Sequence, residues 1–266
     1  MFVLSLLFGL CIQSATADTE LAPAITIIID DIGNNLAEGE AAIALPGPVT
    51  YAVLPFSAFG KTLAEKAHAA GKRIMLHAPM ANTHHYKLGP GALTPDQSEA
   101  QLKATLRKDL AAVPHVAGIN NHMGSLLTQN ETAMSWVMDV VKEQNLFFVD
   151  SRTTAKSVAY ATAKAHQVPT LERDVFLDHK IERAFIQDQF LKAVLIARKY
   201  GEAVVIGHPY PETIHFLQEA LPALDEAGVQ LISAQAMLLR VETKATWAKE
   251  HRPSDGVDSV PEDADR

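Results

Sequence analysis

From Ile25 onward, short apolar and β-branched runs alternate with longer segments whose apolar positions recur at helical spacing. The runs Ile25–Asp30, Val49–Leu54, Arg73–Ala78, Val116–Asn121, Leu146–Asp150, Pro169–Arg173, Ala203–Gly207 and Val229–Ser233 have the length and composition of buried strands. Between them Lys61–Ala70, Ser98–Val113, Glu131–Gln144, Ala184–Tyr200 and Glu212–Ala227 read as helices. Gly71, Gly201 and Gly228 stand just past the last periodic residue of three helices, where a left-handed residue ends the turn. Close to eight β-α units in succession predict a parallel sheet with right-handed crossovers. An open, doubly wound sheet would show the same alternation. The strand number and the polar residues at many strand ends favour closure, and no Gly-x-Gly-x-x-Gly follows the first strand. The expected fold is therefore α/β: a single-domain, distorted (β/α) barrel of seven to eight parallel strands. The longest connection, Met80–Gln97, carries His84, His85, Tyr86, Gly89 and Gly91 and is expected to act as a lid or substrate-binding loop.

The two ends depart from this alternation. Phe2–Ile12 is a continuous apolar run, Ala15-Thr16-Ala17 supplies small residues for cleavage, and polar Asp18 follows. That is the layout of a secretory signal peptide over residues 1–17, although its start carries no Lys or Arg. A membrane span needs about 20 apolar residues, so no stable insertion is expected after cleavage. The domain is expected over residues 18–242. Residues 243–266, polar and acid-rich without an apolar period, read as a disordered tail.

Composition narrows the chemistry. The single cysteine, Cys11, lies inside the expected signal, so disulfides, thiolate nucleophiles and cysteine metal ligands are excluded from the mature chain. A net charge of −8 without a basic stretch excludes a phosphate-backbone partner, so no nucleic acid is expected. Oligomeric state is not readable from the pattern.

Chemistry-bearing residues gather where the strands end. The first strand closes on Asp30 and Asp31, adjacent carboxylates that resist burial together unless a cation or a proton intervenes. His77 ends the third strand, and Asn120, Asn121, His122, Gly124 and Ser125 crowd the end of the fourth. Asp150 and Arg152 follow the fifth, Asp178 follows the sixth, and His208 ends the seventh. In a barrel of this kind these positions share one mouth, where the carboxyl ends of the strands build the site. Two histidines with one carboxylate form a known catalytic zinc set. Such an ion acidifies water and polarises a carbonyl, so the inventory fits metal-assisted hydrolysis of an ester or amide.

With these residues in hand, the chain resembles the divergent polysaccharide deacetylases, the YibQ-like family. The likeness is carried by Ile29–Asp31, Leu76–Met80, Asn120–Ser125, Val149–Ser151, Val175–Asp178 and Ile206–Pro209, and spans about Ile25 to Leu239. The resemblance implies a distorted (β/α) barrel and removal of N- or O-acetyl groups from a carbohydrate, with a divalent metal, expected to be zinc. It implies that Asp30 is the general base, Asp31 the metal carboxylate and His208 the general acid, oriented by Asp150 or Asp178. The better-known polysaccharide deacetylases carry both metal histidines four residues apart on one segment. Here Ala81 stands four residues after His77 and Asn82 follows it, so the second ligand is expected to be His122. Asn120, Asn121, Gly124, Ser125 and Arg152 are expected to bind substrate, with the backbone N–H near Met123 or Gly124 as oxyanion donor. The altered histidine spacing leaves a second reading from another class: a barrel without catalysis that binds glycan or an envelope protein. Both place the mature chain in the periplasm or otherwise outside the cytoplasm.

Overall fold

Most strands of the barrel are followed by a segment that crosses back outside the sheet, so neighbours run parallel. The computed structural model describes residues 21–250. The strands are β1 (Ala24–Ile32), β2 (Thr50–Val53), β3 (Arg73–Met80), β4 (Val116–Met123), β5 (Phe147–Asp150), β6 (Thr170–Glu172), β7 (Val175–Phe176), β8 (Glu202–Gly207) and β9 (Gln230–Leu231). The helices are α1 (Leu36–Ile43), α2 (Gly60–Ala69), α3 (Glu99–Ala112), α4 (Glu131–Glu143), α5 (Ala159–Ala165), α6 (Arg183–Tyr200), α7 (Pro211–Ala220) and α8 (Ala234–Glu250). The strands form one curled sheet in the order β6-β5-β4-β3-β2-β1-β8-β7, and β9 also pairs with β1.

The two ends of this sheet are joined by the chain itself. β6 pairs with β5, and after Arg173 and Asp174 the same segment pairs with β8 as β7. Arg173 N–H donates to Asp150 O at 2.9 Å, and Asp174 N–H donates to Val204 O at 2.9 Å. The distorted barrel expected from the alternation is thus the observed fold, with one short segment serving two neighbours where the ends of the sheet meet.

Because side chains alternate across a strand, the period-2 pattern sorts residues into two cores. Ile25, Ile27 and Ile29 on β1, Leu76 on β3 and Phe148 on β5 pack outward against the helices, with Leu102, Leu106, Val137 and Ile186 among their neighbours. Ala24, Ile28, Met75, Phe147, Val149, Leu171, Val204 and Ile206 point inward, and Met237 and Leu238 of α8 close the barrel's floor beneath them. Three expectations need correction. Among the described residues there are additional short helices, α1 and α5, and α7 stops at Ala220 rather than Ala227. Pro222 is the reason for that stop, since it cannot continue a helix. The tail expected from residue 243 begins too early: α8 runs to Glu250, held at its start by Met237 and Leu238 in the floor. The expected signal peptide and the residues after Glu250 lie outside the described residues. Among the described residues no helix is long and apolar enough to cross a membrane.

Candidate active site

The inward register carries a polar layer at the barrel's mouth. Asp30, His77, Asn120 and His208 continue the inward sets Ala24–Ile28, Met75 and Val204–Ile206 by steps of two. Asp31 has the opposite parity and would point away. Its pairing with β2 is irregular between Ile29 and Ile32, and its φ of 58° is left-handed. This irregularity re-aims the side chain into the mouth beside that of Asp30.

Asn120 occupies the centre of the layer, fully buried. Its Nδ2 donates to Asp30 Oδ1 at 2.7 Å, and its Oδ1 lies 2.7 Å from His77 Nδ1. With the amide so committed, His77 Nδ1 must carry the hydrogen, and Nε2 presents a lone pair. That Nε2 lies 3.1 Å from Asp31 Oδ1 and 3.1 Å from His122 Nδ1, while His122 Nδ1 lies 2.8 Å from Asp31 Oδ1. Three ligand atoms thus form a triangle. Four-coordinate zinc with ligands at 2.0–2.1 Å implies edges of about 3.3 Å, close to those observed. Asp31 Oδ1 is itself buried with no aligned hydrogen-bond donor. A buried acceptor without a donor, facing two imidazole nitrogens, fits a cation. Asp31, His77 and His122 can therefore hold a divalent metal.

Opposite this triangle stands a second pair. His208 Nδ1 meets Asp178 Oδ1 at 2.9 Å, and His208 Nε2 faces Asp31 Oδ2 at 3.8 Å. The His208 N–H and the Thr213 hydroxyl both donate to Asp178 Oδ2, at 2.6 and 2.8 Å. Burial works against charging His208, but the bond to Asp178 and its negative charge win and lift the imidazole to about 9. Burial pushes the Asp30 carboxyl up. Burial would do the same to Asp31, but His122 and His77 beside it hold its carboxyl well below the usual range. Two adjacent carboxyls are thereby driven in opposite directions.

Several expected site residues have other duties. Asp150 does not reach His208. It follows inward Val149 and so points outward, where its oxygens take Arg152 N–H at 2.8 Å and the Ser157 hydroxyl at 2.7 Å. Asn121 is likewise outward and buried, bridging Ser151 N–H and Met123 O. Asn120, expected to touch substrate, is sealed behind His77 and Asp30. The Gly124 N–H is spent on Met80 O at 3.0 Å and is not an oxyanion donor. Ser125 braces Thr83, and Arg152 pairs with Glu172 at 3.3 Å.

Other residues at the mouth went unremarked in the sequence. Half-buried Arg173 spans two strand ends, donating to Ser151 O at 2.7 Å and Arg152 O at 2.8 Å. Phe176 and Tyr210 flank the His208 ring, each with centroids 5.4 Å away. Parity would have found Arg173, two residues after inward Leu171. Two clefts flank the triangle. The larger, about 360 Å³, reaches from Asp31 and His122 to Phe56, Lys87, Leu88 and Pro90. The smaller, about 150 Å³, lies between Asp31, Glu38, His208 and Tyr210. Met80–Gln97 therefore does border the mouth. It is pinned by Leu93 N–H to Pro79 O at 2.8 Å and by Asn82, which accepts from the His84 and Tyr86 N–H groups.

Fold and site together define a parallel (β/α) barrel of the carbohydrate-deacetylase kind, with an Asp-His-His cluster at its mouth. The chain belongs to the divergent polysaccharide deacetylase family, whose model matches residues 27–238. An uncharacterized protein of Haemophilus influenzae is 38% identical over 208 residues, 78% of this chain and 74% of that one. The uncharacterized protein YibQ of Escherichia coli is 35% identical over 224 residues, 84% and 70% of the two chains. Among solved structures, an uncharacterized protein of Agrobacterium tumefaciens superposes with a TM-score of 0.79 at 22% identity, covering 82% of this chain and 89% of that one. A mutant of the peptidoglycan deacetylase PdaC of Bacillus subtilis gives 0.53 at 12% identity, covering 86% and 95%. The structural likenesses concern the fold.

Proposed function

We propose that the protein is an exported, metal-dependent hydrolase that removes acetyl groups from a carbohydrate. One observation carries this reading: the Asp31, His77 and His122 ligand atoms lie within 2.8–3.1 Å of one another, opposite a carboxylate-backed histidine. The family supports the substrate class. A zinc ion held by the three residues would polarise the acetyl carbonyl and acidify water.

The remaining roles belong to the chain. Asp30, with Oδ1 tied to Asn120, keeps Oδ2 turned to the cluster, where it accepts the proton of the attacking water. His208 Nε2, across the Asp31 carboxylate, delivers a proton to the leaving amine or alcohol. Asp178 holds His208 Nδ1–H and thereby the tautomer and direction of the ring. Water oxygen joins the acetyl carbon, acetate departs, and the sugar nitrogen or oxygen gains the proton.

The test is elemental analysis of the native protein together with acetate release from acetylated glycans. About one divalent ion per chain is expected, lost in His77→Ala and His122→Ala, and full occupancy in either variant would end the assignment. The distribution of the metal histidines over two strands, rather than one segment, favours a second reading, a glycan-binding barrel without turnover. Glycan binding that survives chelation, with no acetate released from any substrate, would select it. Export is checked by fractionation, with the chain expected outside the cytoplasm and shortened at its apolar leader.

A further inference from the structure

Among the described residues, the left-handed, non-glycine positions fall mostly into two groups at opposite ends of the barrel. His115, Asn145 and Gln167 lie between α3, α4 and α5 and the strands that follow, and turn the chain into them. Asp31, Phe56, Met123 and Arg152 lie at or just after the carboxyl ends of β1, β2, β4 and β5, around the mouth. Of the four at the mouth, Phe56 alone is exposed. It follows Pro55 in a tight turn, closed by the Ser57 hydroxyl on Leu54 O at 2.7 Å. Its φ is 55°, at a turn position where glycine or asparagine ordinarily stands. A bulky aromatic there is disfavoured by its own backbone and must be held by its surroundings. Nor does packing explain it, because Phe56 is 53% exposed. Phe56 instead lines the larger cleft, together with Asp31 and His122 of the cluster and with Pro55, Leu88 and Pro90.

We propose that Phe56 is the platform on which the sugar ring of the substrate lies while its acetyl group reaches the metal cluster. This rests on the carbohydrate reading above and names the residue that recognises the ring. A pyranose presents one face of C–H groups, and a rigid aromatic surface recognises that face without hydrogen bonds. The ligand class is an oligosaccharide bearing an acetylated amino sugar. The turn holds the ring in place before substrate arrives, so little ordering remains to be done on binding.

The experiment uses the full chain loaded with zinc, and oligosaccharides of N-acetylglucosamine and N-acetylmuramic acid as probes. Calorimetric binding and acetate release are measured for the wild type, Phe56→Asn and Phe56→Tyr. In Phe56→Asn, Kd and KM rise about tenfold, the scale of one lost aromatic anchor, while kcat changes little. Its metal content is retained, and its unfolding midpoint is unchanged or higher, because asparagine suits the left-handed turn. Phe56→Tyr restores binding. Unchanged Kd and KM in Phe56→Asn overturn the proposal, as does loss of metal or fold in step with binding. A wild-type protein that binds none of the probes overturns it too. Oligosaccharide binding that depends on Phe56 without any acetate release keeps the platform and ends the deacetylase reading. Acetate release indifferent to Phe56→Asn does the reverse.

Discussion

Asp178 accepts the ring of His208 on one oxygen and the backbone N–H of the same residue on the other, at 2.9 and 2.6 Å. One carboxylate thus fixes both the imidazole and the strand end that carries it, and Thr213 completes its partners. Asp178→Asn keeps the shape but replaces one acceptor oxygen with an amide donor, which cannot hold His208 in the same tautomer. The expected result is a fall in kcat of about 10²–10⁴-fold, the usual contribution of a positioned acid or base. Metal content should not change, because Asp178 touches none of the three ligand residues. Steady-state kinetics beside elemental analysis check this; unimpaired turnover, or metal lost with activity, would show that Asp178 does something else.

Asn120 provides the companion test on the metal side. Its amide fixes His77 with Nε2 free to bind, and outer partners of this type are worth about 10–100-fold in metal affinity. Asn120→Ala should weaken zinc by that order in a chelator competition. It also strips the hydrogen bond from buried Asp30 Oδ1, at a cost of about 1–3 kcal/mol in stability. With zinc in excess, KM should stay near that of the wild type. A raised KM with intact metal affinity would return Asn120 to the substrate contacts.

The contrast between Asp150 and Asp178 shows how far the sequence can be read. Both follow apolar runs, and strand ends alone cannot separate them. Face parity can: Asp150 follows inward Val149 and points outward, whereas Asp178 lies two residues after Phe176, whose ring meets inward His208. The same count would have placed Asn120 in the layer of His77 and Asn121 behind it. Parity fails at Asp31, where the irregular pairing and left-handed backbone reverse the side chain. Such a turn requires no glycine, so nothing in the local sequence marks it. The strands were legible because buried parallel strands are continuously apolar. Helix α1 was missed because its eight residues, with Gly39 against Leu63, hold by tertiary contact and an Asn35 cap rather than by periodicity. β7 was missed because two residues carry no period at all.

Gly33 ties the first strand end to the turn that displays Phe56. Its φ is 136°, and its carbonyl accepts Phe59 N–H at 2.8 Å. A Cβ at this position would stand 2.0 Å from Ser57 Oγ and 3.2 Å from Gly60 Cα. Gly33→Ala is therefore expected to cost about 1–3 kcal/mol, as overpacking at a close approach does. Part of that cost should disappear in a Ser57→Gly background, which removes the nearest atom and leaves the backbone penalty. Urea unfolding of the four combinations measures the coupling. Strictly additive effects would mean that the Ser57 contact is not the source.

Asp109, outside the metal cluster, gives a prediction in pH. It lies on α3 fully buried, with neither carboxylate oxygen hydrogen-bonded, and a Cβ on Gly91 would come within 2.3 Å of Oδ1. Burial without a partner pushes its carboxyl up to about 8. The folded state therefore keeps this proton after the unfolded chain, at an ordinary value near 3.8, has released it. Stability from this group is fully present below about pH 4 and is lost as pH rises, by ~1.4 kcal/mol per unit at most, levelling off above about pH 8. Asp109→Asn removes the titration and leaves the volume almost unchanged. Its stability relative to the wild type should rise steadily from about pH 5 to about pH 8, because only the wild type must hold a proton there. Denaturant unfolding of both proteins across that range isolates the one group, since every other titration is shared. Two stability curves that run parallel in pH would mean that Asp109 already has a partner for its charge, and that the helix tolerates it ionised.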